Sequence, residues 1–72
     1  MKKGVMNYSI TWSESGRKNE KIFFTKFETI SEYITILKSG NTAISELKIW
    51  EIYRSLKPAE DITSRINQFL YN

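Results

Sequence analysis

Seven glutamates, one aspartate, eight lysines and four tyrosines hold most of the acid–base chemistry open to this 72-residue chain, because it has no histidine and no cysteine. Without imidazole or thiolate, the common zinc sites, cysteine nucleophiles and Ser–His or Cys–His pairs cannot be assembled. Carboxylate, lysine and tyrosine catalysis stays open in principle, but the spacing gathers no such groups into a recognisable site. Glu28 and Glu32 lie four apart and can share a surface, as can Glu46 and Glu51 on neighbouring elements; paired carboxylates of this kind are common on solvated faces. Asp61, the only aspartate, reads as a first-turn helix residue. Three glycines form no phosphate-cradling pattern. The expectation is a protein that is not an enzyme, with no catalytic residues, metal or cofactor.

The aromatic residues make up 14 % of the chain and offer two kinds of contact. A sheet displaying Phe23, Phe27 and Trp50 beside Arg17, Lys18, Lys21, Lys26 and Lys48 has the means to stack bases and neutralise phosphates. Trp12, Trp50, Tyr33, Tyr53 and Arg54 are of the types that dominate protein interfaces. The competing use of every ring is burial in its own core. The net charge of +3 is mild and owes part of its value to Lys2 and Lys3, at an end expected to fray over residues 1–4.

Position along the chain suggests how these groups are held. Met6, Tyr8, Ile10 and Trp12 alternate with Asn7, Ser9, Thr11 and Ser13, the period of a strand with one buried face. Residues 13–21 are polar, contain Gly16 and read as a hairpin loop. Residues 22–27 form a second strand, with Ile22 and Phe24 on one side and Phe23, Thr25 and Phe27 on the other. Apolar residues on both sides place it centrally or turn its second side to a partner. A helix follows, opened by a capping box at Thr29–Glu32, striped by Ile30, Tyr33, Ile34 and Leu37, and closed near Lys38 and Gly40. Residues 47–54 fit a strand or a helix, and their β-branched and aromatic content favours the strand. The strand reading puts Leu47, Ile49 and Tyr53 on one face, with Trp50 and Ile52 on the other; the helical stripe would be Ile49, Ile52, Tyr53 and Leu56. Pro58 then starts a last helix with Glu60 and Asp61 in its first turn and Ile62, Ile66, Phe69 and Leu70 inward.

The order strand, strand, helix, strand, helix predicts an α+β fold: one domain over residues 1–72, with a three-stranded, mainly antiparallel sheet packed on helix. A chain this short buries only about 60 % of its unfolded surface, so self-association is a reasonable supplement. No apolar run approaches the length of a membrane span, and the Met-Lys-Lys start lacks the apolar stretch of an export signal. A cytoplasmic protein is expected, consistent with the lack of cysteine.

The hairpin, the helix starting near Ser31-Glu32-Tyr33, the segment Gly40-Asn41-Thr42-Ala43 and the strand after it resemble the short phage-encoded inhibitors of uracil-DNA glycosylase, over residues 7–56. In that family an aromatic following Ser-Asp enters an apolar pocket of the enzyme, and a dimer imitates DNA. The resemblance implies that role for Tyr33, preceded here by Glu32. The chain departs from the family in being basic, in carrying Ile34 where a carboxylate follows the wedge, and in a longer spacing to Gly40. Ten isoleucines, eight lysines and five asparagines also look like the usage of an AT-rich phage or mobile element. In size and build the chain is similar to anti-CRISPR proteins.

These readings converge on a stoichiometric inhibitor that occludes a host nuclease, glycosylase or other nucleic-acid or defence protein, with a homodimer also open. Glu28, Glu32, Tyr33, Trp50, Tyr53 and Arg54 are its expected contact residues, and Glu46 and Glu51 join the glutamates as phosphate imitators. The alternative is a small protein that binds single-stranded nucleic acid.

Overall fold

A computed structural model describes residues 4–55 and 57–71. The order is β1 (Val5–Glu14), β2 (Arg17–Phe23), α1 (Lys26–Lys38), β3 (Ile44–Tyr53), β4 (Glu60–Asp61) and α2 (Thr63–Tyr71). The class is α+β, but the sheet has four strands, not three, in the order β2-β1-β3-β4 and antiparallel throughout. Principal extents of 38 × 29 × 17 Å match a two-layer object, one sheet and one layer of helix.

β1 and β2 are joined by a two-residue turn at Ser15 and Gly16, both at positive φ (52° and 83°), the handedness that suits the twist of a hairpin. Pairing therefore starts at Glu14 opposite Arg17, and the stretch expected to be loop is mostly strand. β2 lies at the edge instead of the centre, which explains its polar sequence: solvent reaches its outer rim and most of its side chains, with Asn19 and Phe23 half-buried.

Thr25 and Thr29 are each followed three residues later by glutamate. The helix uses the first pair. Thr25 is extended, its hydroxyl accepts from the Glu28 amide at 3.1 Å and donates to the Glu28 carboxylate at 3.2 Å. Thr29 sits one turn inside, buried, donating to the Thr25 carbonyl at 2.8 Å. Lys26 and Phe27 thus belong to α1, not to the strand. At the far end Gly40 has φ +70°, as the closing signal required.

Residues 47–53 are strand, with Ile49 and Tyr53 buried on one face together with Glu51, and Leu47 packed against the same core. Glu60 and Asp61, expected in a helical first turn, pair with Glu51 and Trp50 as β4. The backbone of Ile49 accounts for this: its carbonyl accepts from the Ile62 amide at 2.9 Å, and its amide donates to Thr63 Oγ1 at 2.9 Å. A strand amide pointing at an edge needs a partner, and the β4–α2 junction supplies one. Asp61 Oδ1 accepts from the amide and hydroxyl of Thr63 at 2.9 and 2.6 Å, which opens α2.

The core is Ile10, Tyr33, Ile49, Ile62 and Ile66, with Trp12, Phe23, Ile30, Ile36, Leu47 and Leu70 around it. α1 rests on β1 and β2, and α2 on β3. Met6, expected inward, is exposed because the β1–β3 register shifts between Val5 and Asn7 and breaks the alternation there. Leu37 and Phe69, placed in the two helical stripes, are exposed as well, while Thr29 and Ile36 turn inward. The expected fraying over residues 1–4 concerns residues outside the described set except Gly4, whose carbonyl accepts from the Arg54 amide at 2.8 Å.

Candidate functional site

Both helices pack on the same face of the sheet, and among the described residues no element covers the other face. Down its centre on β1 run Ser9, Thr11 and Ser13. Their cross-strand neighbours are Ile22, Glu20 and Lys18 on β2, and Trp50, Lys48 and Ser45 on β3. Short polar residues at the centre and longer ones on both flanks leave an open groove of about 470 Å³, lined by Thr11, Ser13, Lys18, Glu20, Lys48 and Trp50 among others. Trp50 Nε1 donates to Thr11 Oγ1 at 2.8 Å, and Lys48 Nζ lies 5.9 Å from the indole centroid. Ser9 donates to Glu20 at 2.7 Å and Ser13 to Glu46 at 3.1 Å.

Exposed apolar side chains occur on either side of the point where β2 turns into α1. Met6, Ile22, Phe24 and Phe27 are 47 %, 50 %, 79 % and 80 % exposed. Met6 and Phe24 line one shallow cavity with Val5, Tyr8, Thr25 and Lys26. Phe24 precedes the N-cap, where an apolar residue usually packs against the fourth helical position. That position is the buried Thr29, so Phe24 has no staple partner and stays in solvent. The sequence signal was available, but only after Thr25 is recognised as the cap. Leu37, Phe69 and Tyr71 expose a further apolar area along the helices.

The structure disperses the residues expected to act together. Tyr33 is 3 % exposed, and its hydroxyl donates to Asn67 Oδ1 at 2.7 Å, tying α1 to α2; as placed, its ring is a core residue and not a wedge. Tyr53 is buried too. Glu28 is engaged by the Thr25 cap, and Glu32 pairs with Lys21 at 2.9 Å. Glu46 accepts from Ser13, Glu51 is buried, and Arg54 is exposed after β3. Of the stacking set, Phe23 packs on the helix side and Phe27 lies on α1, which leaves Trp50 as the set's single ring on the uncovered face. Trp12 packs against the core and donates to Glu14 at 3.4 Å.

One polar cluster is partly buried. The Tyr53 hydroxyl lies 2.8 Å from Glu51 Oε1 and 2.7 Å from Glu60 Oε1. Arg65 reaches both carboxylates, at 3.9 and 3.4 Å, and Lys57 Nζ sits 4.3 Å over the Tyr53 ring. Hydrogen bonding to Glu60 and Glu51 pushes the Tyr53 phenol well above its ordinary value, because ionisation would set three negative groups together. Burial raises Tyr8 and Tyr33. For Asp61 burial works upward, but the Thr63 hydroxyl and amide outweigh it and the carboxyl ends below its ordinary value, with help from the charge of Lys48.

Among the described residues no group of three or more acidic side chains is placed to hold a metal ion, and no helix is long and apolar enough to cross a membrane. Set against known proteins, the chain matches no family model, no curated protein and no solved structure.

Proposed function

We propose that the chain is a non-enzymatic binding protein that occludes a surface on a protein partner through an apolar corner at the start of α1, where Phe24 lies with Met6 and Phe27 follows on the helix. The observation that carries this reading is the exposure of two phenylalanines at 79 % and 80 % on either side of a helix cap. A small domain short of apolar burial gains nothing internally from rings left in water. Thr25 and Glu28 fix the backbone between them, so the pair is preorganised and little ordering entropy is lost on contact. Lys26 beside them favours an acidic rim on the partner.

The partner class is taken from the resemblance to small phage-encoded inhibitors: a phage or mobile-element protein acting in the host cytoplasm on a nucleic-acid-processing or defence protein. Imitation of DNA is not part of this proposal. Glu28, Glu32, Glu46 and Glu51 are spread over separate elements and engaged locally, and the net charge is +3.

A pull-down of stoichiometric partners from host lysate, run with the wild-type chain and with Phe24→Ser/Phe27→Ser, tests the reading. Loss of one discrete partner in the variant supports it. A partner retained equally by both, or recovery of nothing but a second copy of the chain, removes it.

A further inference from the structure

We propose that β2 is a self-pairing edge: two copies of the chain join antiparallel along this strand, with Asn19 on the two-fold axis and Lys18 of each copy opposite Glu20 of the other. The contact is separate from the apolar corner and rests on different residues.

The two rims of the sheet are unequal. On one, β4 has only two residues and the β3 backbone beyond it is bent at Glu46 (φ 54°), both features that blunt an edge. On the other, β2 runs for seven residues without proline or bulge, in unbroken register with β1 from Arg17 to Phe23. Counted from the two-residue turn, the backbones of Arg17, Asn19, Lys21 and Phe23 face β1. Those of Lys18, Glu20 and Ile22 therefore point outward, and among the described residues no other strand pairs with them.

Charge selects the partner and the register. A two-fold axis perpendicular to the sheet sets one residue opposite itself and keeps every side chain on its own face. Within residues 17–21 every centre except Asn19 places two like charges directly opposite, which destabilises a strand pair. Centring on Asn19 does the reverse. Lys18 and Glu20 lie on the same uncovered face, so each Lys18 meets a Glu20 and the favourable pair occurs twice. One carboxylate oxygen of Glu20 is left for it, since only Oε2 accepts from Ser9. Lys18 and Glu20 are also residues whose amides and carbonyls point outward, so both pairs are hydrogen-bonded ones. Asn19 then takes the position of closest approach, about 4.5 Å between Cα atoms, with a short uncharged side chain. On the helix face Arg17 comes opposite Lys21 of the second copy, whose ammonium is held by Glu32 at 2.9 Å; Arg17 meets an ion pair there, not a bare cation. Ile22, 50 % exposed, comes opposite Gly16 of the second copy, where the missing Cβ leaves it room. An unrelated strand would have to supply this order of charges; a second copy carries it by construction.

Sedimentation equilibrium of the full chain from about 10 μM to 1 mM spans the range of a small interface. The mass is expected to rise toward that of two chains and stop there, because the other rim is blunted. Lys18→Glu and Glu20→Lys, each alone, set like charges opposite and should weaken the dimer about ten-fold. Lys18→Glu/Glu20→Lys reverses both members of each pair and should return affinity to within about three-fold of wild type. The register is read separately. The chain has no cysteine, so Asn19→Cys puts a single thiol on the axis, at a Cα spacing that suits a disulfide. It should cross-link on mild oxidation, whereas Arg17→Cys, about 13 Å from its own copy, should not. One mass at every concentration, growth past two chains, a double variant no better than the single ones, or equal cross-linking of both cysteine variants each overturns the inference. Loss of the dimer in Phe24→Ser/Phe27→Ser does so too, by moving the contact to the apolar corner. Unchanged self-association in that variant supports the edge and keeps its fate distinct from that of the corner.

Discussion

The hydroxyl of Tyr53, on β3, lies 2.7 Å from a carboxylate oxygen of Glu60, on β4, and so ties the shortest strand of the sheet to its neighbour by a side chain. The same oxygen is 2.8 Å from Glu51, and a phenol carries a single proton to share between two acceptors. Holding that proton is the condition for the junction, and it sets the first prediction. A group whose pKa is raised on folding contributes stability in full below its unfolded value, here 10.0, and loses it as pH climbs past that value. The urea midpoint should therefore fall steeply above about pH 10, and Tyr53→Phe should flatten that fall while lowering stability at neutral pH. Tyr8 and Tyr33, also raised, leave a residual slope in the variant. An identical alkaline profile for both proteins would remove this account of Tyr53.

At the acid end the sign reverses for Asp61. Its pKa is lowered on folding, so its contribution is present above the ordinary value of 3.8 and disappears as pH falls through the folded one. Asp61→Ala should lose stability at pH 7 and show a shallower loss on acidification. Asp61→Asn keeps an oxygen for Thr63 but not the charge, and should fall between wild type and Asp61→Ala at pH 7, as read by chemical denaturation.

Tyr33 discriminates between a core residue and a surface wedge. Tyr33→Phe leaves Asn67 without its donor and should cost about 1 kcal/mol in urea denaturation. Tyr33→Ala opens a cavity between both helices and the sheet, at about 3 kcal/mol or more, enough to unfold much of so small a domain. A stable Tyr33→Ala protein would contradict the packing described here.

Two equivalent capping sequences make the helix start testable. Thr25→Ala should destabilise by about 1 kcal/mol and Thr25→Ser by little, because serine keeps the accepting oxygen. The comparison needs only denaturation curves of the two variants. If both lose stability equally, the cap is not the reason.

The apolar corner should be energetically silent within the free protein. Phe24→Ser and Phe27→Ser are expected to move stability by no more than about 0.5 kcal/mol, the usual range for exposed sites. A larger loss in the thermal midpoint would mean that these rings pack internally.

How much of this was legible depended on how local the cause was. The alternation over Tyr8, Ile10 and Trp12, the β-branched run of β3 and the Gly40 stop are local signals, and each produced the element it announced. The position of the cap was not legible. Thr25 and Thr29 carry the same spacing to a glutamate, and what separates them is that Thr29 is buried while Thr25 is exposed. Nor was β4, since nothing in Glu60-Asp61 favours a strand; it forms because the outward amide and carbonyl of Ile49 need partners.

The candidate surfaces divide in the same way. Sequence alone determined the chemistry on offer: no imidazole, no thiolate, a surplus of lysine, and rings that stack or pack. Which rings are free was decided by tertiary structure. Both helices fall on one side of the sheet, so Tyr33, Tyr53 and Phe23 are taken into the core while Trp50 is left on the other side with two lysines. The physical reason is that burial is a property of a surface against its neighbours, and those neighbours are set by contacts between residues far apart in the chain.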